Sequence, residues 1–198
     1  MTPRRPPAAG FTMIELITVM LIVGLLGAVA GSRFFDHQVY AARAYADQVA
    51  ALIRYAQKLA IAQNRPVTVR STPGGFAVCF DGNATTAPCA TPASLAQAPG
   101  GANDGSAATR AFCTDRASGR YVSNWACLGS PLSVQVTSSA PRAEMATGGF
   151  FVFDAAGRPF NGSDALNGAS SFTRLTLNIS SGNQRVTLNV EAESGYVF

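Results

Sequence analysis

The chain has 198 residues and a mass of 20.5 kDa, room for one ordinary domain and an appendage, which excludes a large multidomain enzyme. Hydrophobic residues make up 47% and charged residues 13%, about half the usual charged share. The chain is therefore no disordered polyelectrolyte, and some of its apolar sequence is expected to face something other than water. The formal net charge is +4, from 15 basic and 11 acidic residues; setting aside Arg4 and Arg5 leaves 13 against 11, a net of +2, which implies no nucleic-acid surface.

Residues 1–10 read as a short leader that carries those two arginines. From Phe11 to Gly31 the sequence is FTMIELITVMLIVGLLGAVAG, in which Glu15 is the only ionisable side chain among 21 residues. At 1.5 Å per residue such a helix covers roughly 30 Å, the thickness of a bilayer's hydrocarbon, and exceeds the roughly 7–15 residues of a signal-peptide core. A spanning helix over 11–31 is expected, with the arginine-bearing end in the cytoplasm and the rest across the membrane. Glu15 is what a plain anchor leaves unexplained. A charge inside an apolar helix costs on the order of 2.5–3.5 kcal/mol at mid-bilayer, so it calls for a partner, and the run supplies no cation. Cleavage between Gly10 and Phe11 would create one: the new α-amino group of Phe11, on this copy or a neighbour.

Gly10-Phe11-Thr12-Met13-Ile14-Glu15-Leu16 followed by an apolar helix resembles the class III signal of type IV pilins and type II secretion pseudopilins. The resemblance implies that a prepilin peptidase cuts after Gly10 and methylates Phe11. It also implies that Glu15 pairs with the N-terminal amine of an adjacent subunit. The expected partners are that peptidase, other pilin or pseudopilin subunits, an inner-membrane assembly platform and membrane lipid. Before assembly the chain is expected as a single-pass inner-membrane protein with a periplasmic body, and afterwards in a pilus or pseudopilus. Ala9 departs from the pattern where a basic residue often precedes the junction glycine, and Ser32 where many members carry a helix-distorting proline. Gly24, Gly27 and Gly31 keep that stretch permissive. The Gly27-x-x-x-Gly31 spacing permits close helix contact, although glycines are as usual in any spanning helix.

Beyond Arg33 the pattern turns amphipathic. Phe35, Val39, Ala42, Val49, Leu52, Ile53, Ala56, Leu59 and Ala60 recur at three- and four-residue spacing, predicting that one long helix continues through 32–65. It should stop near Asn64, because Pro66 disfavours helix at Arg65. The rest, 66–198, reads as a β-rich extracytoplasmic domain. Strands are predicted at 67–70, 75–80, 132–137 and 150–153, and most clearly in the alternations of Leu175, Leu177, Ile179 and of Val186, Leu188, Val190. Those two runs form a hairpin around Ser180-Ser181-Gly182-Asn183. Residues 83–109, rich in Ala, Pro, Gly, Ser and Thr without period, read as a long surface loop. The fold expected is α+β and pilin-like: a long N-terminal helix packed on an antiparallel β-sheet.

Cys79, Cys89, Cys113 and Cys127 form an even set on the oxidising side of a membrane, so two disulfides are expected. Of three connectivities the local pairs Cys79 with Cys89 and Cys113 with Cys127 are favoured, each closing a short loop. A zinc site lacks a C-x2-C pair and a nearby histidine. His37 is the only histidine, so Ser-His-Asp, Cys-His and multi-histidine constellations cannot be assembled. Asp36 and Asp47 read as solvated helix positions. Gly100-Gly101 and Gly148-Gly149 are isolated pairs and match no phosphate-binding loop. Asp81-Gly82-Asn83 and Asn161-Gly162-Ser163-Asp164 read as turns rather than calcium ligands. Phe112, Tyr121 and Trp125 read as core or hairpin contacts. No catalytic residue, metal or cofactor is expected.

The helix-then-strands order resembles the GspH/FimT subgroup of minor pseudopilins and related minor pilins of mannose-sensitive-haemagglutinin-type systems. It is carried locally by Tyr55-Ala56-Gln57-Lys58-Leu59-Ala60 leading to Pro66-Val67-Thr68-Val69, and by Phe153-Asp154-Ala155-Ala156-Gly157-Arg158-Pro159. That implies a structural subunit rather than an enzyme. Two alternatives stay open. Some relatives of the subgroup take up DNA through a basic C-terminal segment, but residues 191–198 here hold two acids and no base, which attracts phosphate poorly. The other is a periplasmic domain on an uncleaved anchor.

Overall fold

The structure, a computed structural model, describes residues 11–34, 37–82, 88–138 and 149–198, with backbone alone for 28–34 and 37–39. Gly10, the expected cleavage position, lies outside the described residues. So do residues 35 and 36, on which the expected continuity of the helix rests. The chain divides into two compact units, Met1–His37 and Gln38–Phe198.

In the first unit α1 spans Met13–Phe34. Every side chain described in it, through Gly27, is exposed. Among the described residues no helix is long and apolar enough to cross a membrane.

The second unit is built around α2, His37–Gln63. Its buried stripe is Ala42, Tyr45, Ala46, Val49, Ala50, Ile53, Ala56 and Ala60, one helix face at three- and four-residue spacing. Five of these eight are alanines, which let neighbouring backbones approach closely. The helix ends as Pro66 leads one to expect. Asn64 takes a left-handed φ of 49°, its N–H donates to the Ile61 carbonyl at 3.2 Å, and the Arg65 N–H reaches back to Ala60 at 3.2 Å. These two bonds satisfy carbonyls that the last turn would leave orphaned.

The sheet expected on this helix is divided into two. The larger has β1 (Val67–Thr72), β2 (Gly75–Cys79), β3 (Cys127–Gly129), β5 (Phe150–Phe153) and β6 (Pro159–Asn161) in the order β3-β2-β1-β5-β6. The smaller has β4 (Gln135–Ser138), β7 (Leu175–Ser181) and β8 (Gln184–Val190) in the order β4-β7-β8. All pairings are antiparallel. The β7–β8 turn is only Gly182-Asn183, because Ser181 pairs with Gln184. Gly182 takes φ 55° there, a conformation that glycine reaches without Cβ strain.

One core joins the α2 stripe to one face of each sheet. Val67, Val69, Phe76, Val78, Phe151 and Phe153 come from the larger, and Leu175, Leu177, Ile179, Leu188 and Val190 from the smaller. The opposite face of β2 and β3 carries a second, smaller core of Ala77, Cys79, Cys89, Cys113, Trp125 and Cys127. Its cysteines are bonded 79 to 89 and 113 to 127.

Two expectations change. The stretch read as a surface loop is, in its described part from residue 88, laid against the larger sheet. Ala96 is buried, its N–H donates to the Val78 carbonyl at 3.1 Å, and its own carbonyl accepts from Ala126 at 2.8 Å. Trp125 Nε1 donates to the same Val78 carbonyl at 2.8 Å. A short helix, α3 (Ala107–Phe112), begins inside this stretch, with the Ser106 hydroxyl accepting the Thr109 N–H at 3.2 Å. Leu132, read as the start of a strand, instead stands in a turn closed by Val134 N–H on the Pro131 carbonyl at 2.9 Å. Strand pairing starts only at Gln135.

Gly129 marks where α3 meets β3: a Cβ there would stand 2.2 Å from the Ala108 carbonyl oxygen. Gly129→Ala should therefore cost more than about 2 kcal/mol in urea unfolding of the detergent-solubilised chain. Replacing Cys113 and Cys127 together by serine should cost about 3 kcal/mol, since the bond closes a loop of 14 residues.

Tyr45 is fully enclosed, and its hydroxyl has no hydrogen-bond partner among the described residues. Burial pushes its phenol well above the ordinary tyrosine value of 10.0; the nearby Ser130 hydroxyl opposes that rise and Asp104 adds to it. Above that value the unfolded chain releases a proton that the fold retains, so stability falls as pH rises. The urea midpoint should drop between about pH 9 and about pH 11, and drop less in Tyr45→Phe.

Candidate assembly site

The start of α1 is set by Thr12. Its carbonyl accepts the N–H groups of Glu15 and Leu16 at 3.1 and 3.3 Å, and its hydroxyl lies 3.4 Å from the Glu15 nitrogen. Thr12-x-x-Glu15 has the spacing of a capping box. This is a second, local reason for a carboxylate at that position: a negative charge in the first turn is favoured by the unpaired N–H groups and the helix dipole. Thr18 donates back to the Glu15 carbonyl at 2.9 Å. Reading Glu15 only as a charge in search of a cation overlooks Thr12, although the Thr-x-x-Glu pattern before an apolar run was available as the signal.

Phe11 is 79% exposed and Glu15 is exposed beside it on the same helix end. Among the described residues the ion pairs are Arg158 with Asp154 and Arg174 with Glu191, both in the second unit. Further along α1, Ile17, Met20, Leu21, Gly24 and Leu25 line a shallow apolar groove of about 500 Å³. Their three- and four-residue sequence spacing forms the seam into which another helix packs its knobs. A Cβ at Gly24 or Gly27 would meet nothing within 4 Å, so none of the described residues of their unit requires these glycines. The helix is apolar on every side and buries none of them, a condition that only lipid or other helices relieve.

Three polar clusters of the second unit are engaged within the fold. Cys79, Asp81 and Cys89 cluster as metal ligands would, but the two sulfurs are bonded to each other and the Asp81 carboxylate accepts the Cys89 N–H, leaving no thiolate to bind an ion. Asp164 accepts from the N–H groups of Asn161 and Ser171 at 3.0 and 2.8 Å, which is turn chemistry. Asp115 accepts from the Ser118 hydroxyl and from the N–H of Ala117, which hold its carboxyl below the usual range.

Residues 5–31 match the family model described as the prokaryotic N-terminal methylation motif. The chain is 42% identical over 60 residues to the type IV narrow pilus major component PilA5 of Thermus thermophilus, a match covering 30% of this chain and 52% of that protein. The chain thus spans about half the length of this curated relative. Among solved structures, two crystal forms of the type IV minor pilin FimU of Pseudomonas aeruginosa (strain PAO1) are similar. They have TM-scores of 0.43 and 0.42, 12% identity, and coverage of 79% of this chain and 85% or 90% of theirs.

Loss of the cap has a local signature. Thr12→Ala should destabilise the first turn by about 1 kcal/mol, speeding exchange of the Glu15 amide roughly fivefold in detergent micelles, with Thr12→Ser near the parent rate.

Proposed function

We propose that the chain is a structural subunit, a minor pilin or pseudopilin, that enters the inner membrane as a precursor with a periplasmic body. Prepilin peptidase cuts it between Gly10 and Phe11 and methylates Phe11, and the mature chain joins a filament of the type IV pilus or type II secretion kind. The observation that carries this reading is the methylation motif over residues 5–31, which brackets Gly10, Phe11 and Glu15. The likeness to a protein described as a type IV narrow pilus component supports it.

The physical step is charge pairing in a dry bundle. Cleavage makes a cation of the Phe11 amine. At about 4 Å and an effective dielectric near 20, that cation and the Glu15 carboxylate of a neighbour attract by roughly 4 kcal/mol before desolvation. The attraction is available only at the right axial stagger, so it sets register, while the groove of Ile17, Met20, Leu21 and Leu25 receives the neighbour's side chains. A subunit that keeps its glutamate suits a position within or below the tip. The chain is the substrate of an enzyme and not a catalyst.

Glu15→Ala is expected to leave membrane insertion and cleavage intact and to reduce recovery of the subunit in sheared or membrane-extracted filaments at least tenfold. Cleavage with unchanged incorporation would contradict the charge-pair mechanism.

A further inference from the structure

The smaller sheet turns one face to the core and the other to solvent. In β7 the buried Leu175, Leu177 and Ile179 alternate with Thr176, Asn178 and Ser180, so the outward side chains fall into cross-strand rows. One row is Thr137, Asn178 and Thr187. The next is Thr176, Asn189 and Phe198, because Asn189 pairs with Thr176 on one side and exchanges both backbone hydrogen bonds with Phe198 on the other, at 2.8 and 3.1 Å. The Thr176 hydroxyl donates to Asn189 Oδ1 at 2.9 Å and the Thr187 hydroxyl to Asn178 Oδ1 at 3.4 Å, which sets the orientation of both amides. These two rows hold hydroxyls, amides and one ring, and no charge.

The rows end on two aromatic rings. Residues 191–198 lie along β8, where Val190 bridges Val197. The strip is pinned from α2 as well: Arg54 donates to the Val197 carbonyl at 2.9 Å and Gln57 to the Ser194 carbonyl at 2.6 Å. With Val197 buried, Tyr196 and Phe198 face outward, 62% and 48% exposed, their planes 17° apart and their centroids 5.8 Å apart. Backbone hydrogen bonds fix where the rings stand, so covering them costs little ordering entropy. Charge around them is nearly balanced. Arg174 and Glu191 are paired at 2.7 Å. The exposed charges without an ion pair among the described residues are Arg54, Arg185 and Glu193, two positive and one negative.

We propose that this face binds a linear uncharged glycan, with sugar hydroxyls on the threonine and asparagine rows and the C–H face of a pyranose on Tyr196 and Phe198. A sugar ring presents polarised C–H bonds on one face, which the negative face of an aromatic ring attracts. At its rim it carries hydroxyls, each both donor and acceptor. Threonine hydroxyls and asparagine amides also offer both. Other occupants match this chemistry less well. A protein partner needs an apolar centre, which the hydroxyl and amide rows lack. A nucleic acid needs several cations for its phosphates, and the unpaired charges here leave a net of only +1. With strands about 4.8 Å apart, the row from β4 across β7 and β8 to the strip spans roughly 14 Å, the length of an oligosaccharide rather than of one sugar. Nothing in the site depends on processing at Phe11.

The full chain, in a detergent without a sugar headgroup, would be titrated in a calorimeter with linear uncharged hexasaccharides of glucose, mannose or N-acetylglucosamine, and with a single-stranded oligothymidylate. The expected result is binding of at least one hexasaccharide, with an affinity unchanged between about 50 and about 500 mM salt. Tyr196→Ala should weaken that binding at least tenfold, with Tyr196→Phe near the parent, and Asn178→Ala should weaken it about fivefold. Tyr40→Ala, which removes a ring exposed on α2, should leave it unchanged. In the parent chain the side-chain amide resonances of Asn178 and Asn189 should move with sugar concentration, a readout that needs no variant to fold. No hexasaccharide bound, binding indifferent to Tyr196→Ala, unmoved Asn178 and Asn189 amides, or oligothymidylate bound more tightly than every sugar would overturn the proposal.

Discussion

A helix that is apolar on every side has no inner face, so lipid or other helices must bury it, and in the assembly proposed above a carboxylate near its start decides which neighbours can do so. α1 is such a helix, from Met13 through the last side chain described at Gly27. Thr12 and the orphan N–H groups of the first turn make a negative charge at Glu15 tolerable locally. A carboxylate excluded from water still calls for a cation. In the assembly proposed above, the cap holds the carboxylate at a defined point on the helix end, and the neighbour's amine then reads that point.

The second unit solves the opposite problem. α2 has a sharp inner stripe, mostly alanine, so two separate sheets can close on it with phenylalanines and branched aliphatics filling the space between. Where the sequence is too poor in large apolar residues to build a core, between residues 88 and 127, covalent bonds and one tryptophan supply the cohesion. Trp125 and two disulfides form the second core, and Ala96 is threaded between β2 and Ala126 by backbone hydrogen bonds. A small-residue segment contributes little hydrophobic stabilisation per residue, so tying its ends to the sheet is what keeps it in place.

What was legible beforehand follows from how strongly each element signals itself. β7 and β8 alternate because one face is buried, and the end of α2 is marked by Pro66. β3 and β6 are three residues long, too short to show a period, and β6 begins with Pro159, tolerated because it lies at a sheet edge. α3 has six residues, three of them alanine, and only the Ser106 cap distinguishes it from loop. Leu132 misled because hydrophobicity alone does not reveal a turn built on Pro131. The division into two sheets depends on pairings between segments distant in sequence, which no local pattern encodes. At the candidate assembly site Glu15 stands out as the one ionisable side chain of an apolar run and Phe11 through the resemblance to a pilin signal, whereas the Thr12 hydroxyl in the same run carries a weaker signal than a charge.

The most direct measurement is the intact and peptide mass of the protein recovered from its native envelope. An N terminus beginning at Phe11 and carrying one methyl group is the predicted result. A protein that still begins at Met1 would contradict it, since Glu15 would then lack the cation that the proposed register requires.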